Sequence, residues 1–489
     1  MHKTTCDPSS TPDNGASAKI PLCVDLDGTL VRTDTLLESF LVLVKQRPWS
    51  LLQVPAWLAG GKANFKREIA RRVDLPVDLL PYQTDFTDYL RRQKAAGRRL
   101  ILVTAADEKI ARKVAQHIGL FDDVLASRDG INLRGSAKLK ALQARYGDRG
   151  FDYAGNDRSD LKIWPHARKA IVVNAPARVQ RAARETTGRT QVFGLQSARW
   201  RALIRAVRMH QWLKNLLLFV PLIMSHRFGE PRLVKAAGIG FLSFSLCAAG
   251  VYLLNDLLDL SADRGHARKR LRPFAAGDLS LLTGLTAVPL LMATAFALAL
   301  SLPPLFGALM AVYVLSSLLY SMKLKTLPVI DVLLLSGLYT LRLITGGTAT
   351  SIQISFWLLA FAMFIFFSLA IVKRYSELAP LNDAGKLKRI AGRGYWTHDL
   401  ETMRVLGGCS GYLAVLVMAL YINSAQVRIL YRHPYMLWAL CPLILYWISR
   451  VWLLAGRMEM HEDPIVFALH DVASLAVAAL ALIFVLLAI

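Results

Sequence analysis

Three aspartates stand at positions 256, 259 and 263 in the stretch NDLLDLSADRGHARKRLRP. The spacing i, i+3, i+7 puts them on one face of a helix. Like charges so arranged repel and call for a cation between them. Carboxylates alone suit a hard ion such as Mg²⁺, which keeps waters and bridges to substrate phosphates. Asn255 precedes them, and Arg264, Arg268, Lys269, Arg270 and Arg272 follow, suited to further phosphate oxygens. A second polar group gathers Tyr320, Ser321, Lys323, Lys325 and Asp331. Both groups hold acids inside an apolar boundary, where ionisable residues are costly and usually functional. A third opens the chain's first apolar run, VDLDGTL: Asp25 ends a buried strand, Asp27 follows two residues on, and Gly28 turns the backbone. That places two carboxylates at the carboxyl edge of a sheet.

The elements that must carry these groups fall into two halves. Residues 20–175 alternate short apolar strands (IPLCVDLDGTL, RRLILVTAAD, FDYAG, KAIVVNA) with Lys/Arg-rich helical stretches, which predicts a doubly wound parallel sheet. Residues 34–100 take the place of a helical cap. Within them PWSLLQVPAWLAGG is too short to span a bilayer, and reads as cap core or as a patch lying on the membrane. Residues 1–19 read as a disordered tail and 176–207 as a linker with an interfacial helix. From 208 to 489 we expect an all-α transmembrane bundle of nine helices, at 212–226, 234–258, 281–301, 303–321, 329–347, 353–373, 403–423, 434–454 and 465–487.

Over half the 489 residues are hydrophobic, yet the formal net charge is +24, which excludes a disordered nucleic-acid binder and fits basic residues flanking membrane spans. With nine spans, the loops on the side of the N-terminal half hold fourteen Lys/Arg against five opposite. The expected setting is therefore the inner (cytoplasmic) membrane, multi-pass, with the N-terminal domain cytoplasmic. Five scattered cysteines suggest no metal centre of their own. No nucleic acid is expected as partner, and the sequence leaves a homo-oligomer open.

NDLLDLSADRGHARKRLRPFAAG, the Tyr-Ser…Lys cluster and Asp331 resemble the UbiA superfamily of intramembrane transferases over residues 205–489. The resemblance implies that Asp256, Asp259 and Asp263, with Asn255, hold Mg²⁺ and a diphosphate. The second family motif departs, with Leu335 where a prenyltransferase-like DxxxD has an acid. Three further stretches are similar to the decaprenyl-phosphate phosphoribosyltransferase branch. They are RMHQWLKNLLLFVPL (Lys214, Asn215), LKTLPVIDVLLLSGLYTLRLITGG (Lys325, Asp331, Arg342) and IVKRYSEL…RGYW (Lys373, Arg374). They imply phosphoribosyl diphosphate as donor and a polyprenyl phosphate as acceptor, bound by these residues together with Arg264, Lys269, Arg270, Arg272, Tyr320 and Lys323.

DLDGTL resembles the first motif of the haloacid dehalogenase (HAD) phosphohydrolases, over about residues 20–175. It implies Asp25 as nucleophile and Asp27 as acid/base. Thr104 matches the hydroxyl motif and Lys138, in preference to Lys140, the lysine motif. In the last motif GNDRSD stands for GDxxxD, so Asn156 replaces the first acid, Asp160 is retained and Asp157 lies one residue off. Asp25, Asp27, Asn156 and Asp160 form the implied Mg²⁺ set. Together the halves imply a bifunctional enzyme. One half transfers 5-phosphoribose to a polyprenyl phosphate, and the other removes the 5-phosphate, giving a polyprenyl-phosphoryl ribose for cell-envelope glycans. The alternative is a UbiA-type prenyltransferase using an allylic diphosphate, with the HAD half a regulatory or docking module.

Overall fold

The computed structural model describes residues 20–128, 131–194, 199–382, 389, 392–460 and 463–489. The 1–19 tail lies outside them. The chain forms two compact units, one made of residues up to Val207 together with Leu253–Thr286, the other of Arg208–Tyr252 and Ala287–Ile489.

The first unit is built on six parallel strands: β1 (Leu22–Val24), β2 (Leu100–Asp107), β3 (Asp123–Ser127), β4 (Asp152–Gly155), β5 (Ala170–Val173) and β6 (Thr190–Phe193), in the order β3-β2-β1-β4-β5-β6. The central strands are apolar on both faces, as a parallel sheet covered on both sides requires. Leu22 and Val24 of β1, with Leu100 and Leu102 of β2, enter one core. Cys23, Ile101 and Val103, which alternate with them, enter the other. Between β1 and β2 lie helices α1 (Thr35–Gln46), α2 (Val54–Ala59), α3 (Gly61–Arg72) and α4 (Thr84–Ala95). Leu43, Trp57, Ile69 and Val73 make a small core of their own under α1–α3. α4 instead puts Phe86 and Leu90 against the sheet. In the PWSLLQVPAWLAGG stretch Trp57 is buried, while Trp49 is 81% and Leu52 79% exposed.

The reading of 176–207 as linker is corrected. Residues Ala177–Thr186 form a helix and β6 pairs with β5 along Ala170–Val173, so the sheet continues to Phe193. Val179 and Ala183 are what tie that helix to the core. Only Arg199–Val207 is a separate helix here.

Among the described residues, seven helices are long and apolar enough to cross a membrane: Pro231–Leu258, Leu281–Ala299, Pro304–Met322, Ile330–Thr350, Phe356–Leu381, Thr397–Ile422 and Pro434–Gly456. The other two of the nine expected segments are broken. The first is a 3₁₀ segment, Met209–Phe219, followed by the short helix Val220–Met224 with Pro221 in its first turn. The last divides into Pro464–His470 and Val472–Ala488, because Asp471 caps the second helix on Ser474 and pairs with Arg450. At 1.5 Å per residue the 17-residue piece falls short of a hydrocarbon core of about 30 Å.

Candidate functional site

Three neighbouring strands bring the first group of residues together. β2, β1 and β4 lie side by side and parallel, so Thr104, Asp25 and Asn156 meet at one carboxyl edge. Asp25 Oδ1 accepts a 2.8 Å bond from Lys138 Nζ, whose helix α6 (Ser136–Tyr146) presents it buried; Lys140, two residues on, is exposed. Lys138 also donates to Tyr153 Oη at 3.0 Å, and Tyr153 donates to Asp160 Oδ1 at 2.9 Å. Asp160 Oδ2 accepts from the backbone of Asn156 and Asp157, fixing the turn after β4. Asp157 points away as a helix cap, bonded to the Arg158 amide. It is Asn156 that faces the first motif. A Cβ at Gly28, whose φ is +76°, would stand 1.9 Å from Asn156 Nδ2, so the turn must be glycine. Thr104 is fully buried and its hydroxyl accepts from the Ala106 amide.

Burial raises the Asp25 carboxyl to about 6, against the pull of Lys138 and with a push from Asp160. Burial, with Asp34 close by, raises Asp27 to about 7. Both therefore hold protons in the folded state that the unfolded chain has released, so stability falls as pH rises from about 4 to about 7. In metal-free buffer we expect the thermal midpoint of this unit to drop by roughly 5 °C between pH 5 and pH 7.5, and the drop to shrink in Asp27→Asn. A scan that is flat in the parent protein refutes this.

The Asp256 motif belongs to the same compact unit. Arg272 Nη1 lies 3.1 Å from Asp256 and 2.7 Å from Asp263, supplying a cation between two of the three acids. Asp259 takes Lys45 Nζ at 2.5 Å. Arg264 is buried on Glu38, with bonds of 2.5 and 3.1 Å, so it serves packing instead of an open phosphate site. Arg268, Lys269 and Arg270 are exposed. Asn255 Oδ1 is buried with no hydrogen-bond partner, an oxygen left for a ligand. Helix α1 thus meets Asp27 at its first amide (Thr35 N to Asp27 Oδ1, 2.8 Å), Arg264 at Glu38 and Asp259 at Lys45.

Among the described residues no three His, Cys, Asp or Glu side chains converge as a ready-made metal cage. The donor chemistry still suits Mg²⁺, which is commonly held by one or two carboxylates plus substrate phosphates. Asp256 with the orphaned Asn255 oxygen, and Asp25 with Asp27 and Asn156, are all-oxygen sets of that kind.

The second unit holds two further clusters. Asp331 is fully buried; Arg374 reaches it at 2.5 Å, Tyr320 donates to it at 2.8 Å, and Arg393 stands 3.4 Å away. Lys323 is exposed and Lys325 half-buried. In the other cluster Lys214 and Lys373 meet on Asp463 Oδ2 at 2.8 and 2.9 Å, with Tyr339 donating to the same carboxylate. Beside it Arg342 donates to Asn215 at 2.9 Å and Asn215 to Ser245 at 3.0 Å, while the Arg342 guanidinium lies over the Tyr339 ring.

Asp463, Glu38 and Lys45 are absent from the residues picked out in the sequence. Asp463 was accessible to the same rule that found Asp331, an acid at the border of an apolar run. Glu38 and Lys45 sit on an ordinary amphipathic helix and carry no local signal.

Two family models match the chain: the UbiA prenyltransferase family over residues 216–475, and the haloacid dehalogenase-like hydrolases over 22–163. Among curated relatives, the Sinorhizobium fredii protein y4nM is 36% identical over 94% of this chain and 90% of its own length. The nodulation protein NoeC of Azorhizobium caulinodans is 37% identical over 55% of this chain and 87% of its own. The decaprenyl-phosphate phosphoribosyltransferase of Mycobacterium tuberculosis is 37% identical over 36% of this chain and 60% of its own. A family match across more than half the chain, helices long enough to span a bilayer and a parallel sheet carrying a DxDGT edge agree on one conclusion: this is a multi-pass membrane protein of the UbiA prenyltransferase family, with an HAD-like domain at its N-terminus.

Proposed function

We propose that the chain transfers 5-phosphoribose from phosphoribosyl diphosphate to a polyprenyl phosphate with Mg²⁺, and that its HAD-like domain then removes the 5-phosphate. The observation that carries the transferase half is the fate of the second acid. Asp331 is locked on Arg374 and Arg393, and Leu335 packs in an apolar cluster, whereas Asn255, beside Asp256, keeps a buried side-chain oxygen with no hydrogen-bond partner. A donor activated through one acid motif suits a sugar diphosphate better than an allylic diphosphate held between two. The partial likeness to the mycobacterial phosphoribosyltransferase supports the same donor.

In this reading an oxygen of the lipid phosphate attacks C1 of the ribose as the C1–diphosphate bond breaks. The acceptor is already an anion, so no general base is required. Lys214 and Lys373, paired on Asp463, and Arg342, held by Asn215, are the groups we assign to anionic substrate oxygens. Lys269, Arg270 and Lys323, exposed, serve approach of the charged donor. Asn255, Asp256 and Asp259 are the residues that would hold Mg²⁺, which would supply charge neutralisation for the leaving diphosphate. In the HAD-like domain Asp25 attacks phosphorus, the sugar O5 departs with a proton from Asp27, and water later cleaves the aspartyl-phosphate. Asn156 in place of an acid favours the second reading, a docking module. The cytoplasmic side of the inner membrane is the setting both activities require, since phosphoribosyl diphosphate is soluble and charged.

The test uses membranes, phosphoribosyl diphosphate labelled in the ribose, polyprenyl phosphate and Mg²⁺. Label is expected in the lipid extract, first with and then without its 5-phosphate. Absence of lipid label, with label from an allylic diphosphate instead, would overturn the phosphoribosyl reading.

A further inference from the structure

The HAD-like domain has a second cationic feature that its phosphate-cleaving edge does not use. A cavity of about 370 Å³ lies beside α3 and the end of β3; the described residues lining it include Asn64, Lys66, Arg67, Ser127, Arg128 and one acid, Asp107. Lys66 Nζ donates to the carbonyl of Ala105 at 2.6 Å and to Asn132 Oδ1 at 3.0 Å, and Arg67 donates to Asn64 Oδ1 at 3.0 Å. These partners are neutral oxygens, so the positive charge of both side chains stays available to a ligand. Asp107 is engaged in capping α5 (Glu108–Ile118) on the Lys109 amide. Ala105, whose carbonyl Lys66 reaches, directly follows Thr104, so the cavity adjoins the Asp25 edge. On the other side it is bounded by Gly60, at the end of the stretch that leaves Trp49, Leu52 and Leu58 exposed. Exposed aromatic and aliphatic side chains in a run next to Lys and Arg are the composition of a segment that lies in a membrane interface.

We propose that this cavity is a second anion site of the HAD-like domain: it holds the phosphodiester of a substrate whose phosphate monoester sits at Asp25, while the Trp49–Leu52 rim takes the lipid attached to that phosphodiester. The inference rests on the phosphatase reading above and narrows its substrate to a bis-anion. A soluble sugar bisphosphate and a lipid-linked sugar phosphate share that chemistry, and only the second uses the rim.

The test is calorimetric binding to the full chain in nanodiscs, with Asp25→Asn to prevent turnover. The probes are ribose 5-phosphate, its 1-O-methylphosphate diester and its 1-O-farnesylphosphate diester. The methyl diester is expected to bind at least 10-fold more tightly than ribose 5-phosphate, and Arg67→Met or Lys66→Met to bring the two near parity. The farnesyl diester is expected to gain a further 10-fold or so, lost in Trp49→Ser with Leu52→Ser. Equal affinity for ribose 5-phosphate and the methyl diester, or a preference that survives both cation substitutions, overturns the anion site. No gain from farnesyl overturns the lipid rim and points to the soluble bis-anion. Phosphate release by the wild-type chain is followed in parallel. Preference without release keeps the anion site and sinks the phosphatase reading, and release without preference does the reverse.

Discussion

Asp25→Asn is expected to lower release of inorganic phosphate from lipid-linked ribose 5-phosphate by about 10³-fold or more, while ribose label continues to enter lipid. The size follows from the role: among the described residues no other carboxylate is clamped by Lys138 at the end of β1, where Asp25 stands 2.8 Å from it. Asparagine keeps the shape and one oxygen for Lys138, so the sheet edge survives. What disappears is the nucleophile. Lipid carrying the 5-phosphate should then accumulate, and its retention on extraction gives the readout. Phosphate release persisting above a tenth of the parent rate would make the HAD-like domain a docking module and assign dephosphorylation elsewhere.

Asp256→Ala is expected to reduce label transfer to lipid by about 10²–10³-fold, the scale on which single charge-stabilising groups act in a transition state. Arg272 keeps its 2.7 Å pair with Asp263 in that variant, so the turn after the first long helix remains anchored. Asp263→Ala should cost less, because Asp263 holds Arg272 and leaves Asn255 and Asp256 in place. The ordering is the test. Equal losses in the two variants, or a third of the activity surviving in Asp256→Ala, would mean that the acids serve only to seat Arg272.

The chemistry-bearing residues were the most legible part of this sequence, because their signals are local. DLDGT follows an apolar strand within six residues, and three aspartates repeat at helical spacing where apolar sequence ends. The edges of the sheet were not legible. Every residue of β6, and four of the five in β3, are only partly buried, and TQVF and DVLAS carry too little apolar content to stand out from loop. Broken spans were hidden for a related reason: 465–487 passes a hydropathy window, and it is the pairing of Asp471 with Arg450, with its cap on Ser474, that shows where the helix must stop. Such pairs are invisible locally. Glu38 meets Arg264 from 226 positions away, and Lys45 meets Asp259 from 214. The same distance effect divides the basic run after Asp263, whose five residues look alike in sequence but split into a buried arginine, a shared one and three exposed side chains.

The chain's departure from the first unit at Val207 and its return at Leu253 set an order of assembly during synthesis. β1 is central, and its neighbours β2 and β4 come 75 and more residues later, so β1 can pair on one side once Asp107 has been made and on both only after Gly155. By Phe193 all six strands exist, before the first long apolar helix begins at Pro231. The sheet can therefore close while the ribosome is still making soluble protein. Yet Glu38 must wait for Arg264, and Lys45 for Asp259, until that helix has been delivered to the bilayer. Until then Glu38 has Thr33 of its own domain as a partner but lacks its counter-charge, so the Glu38–Arg264 pair closes only after the helix that precedes Arg264 is complete.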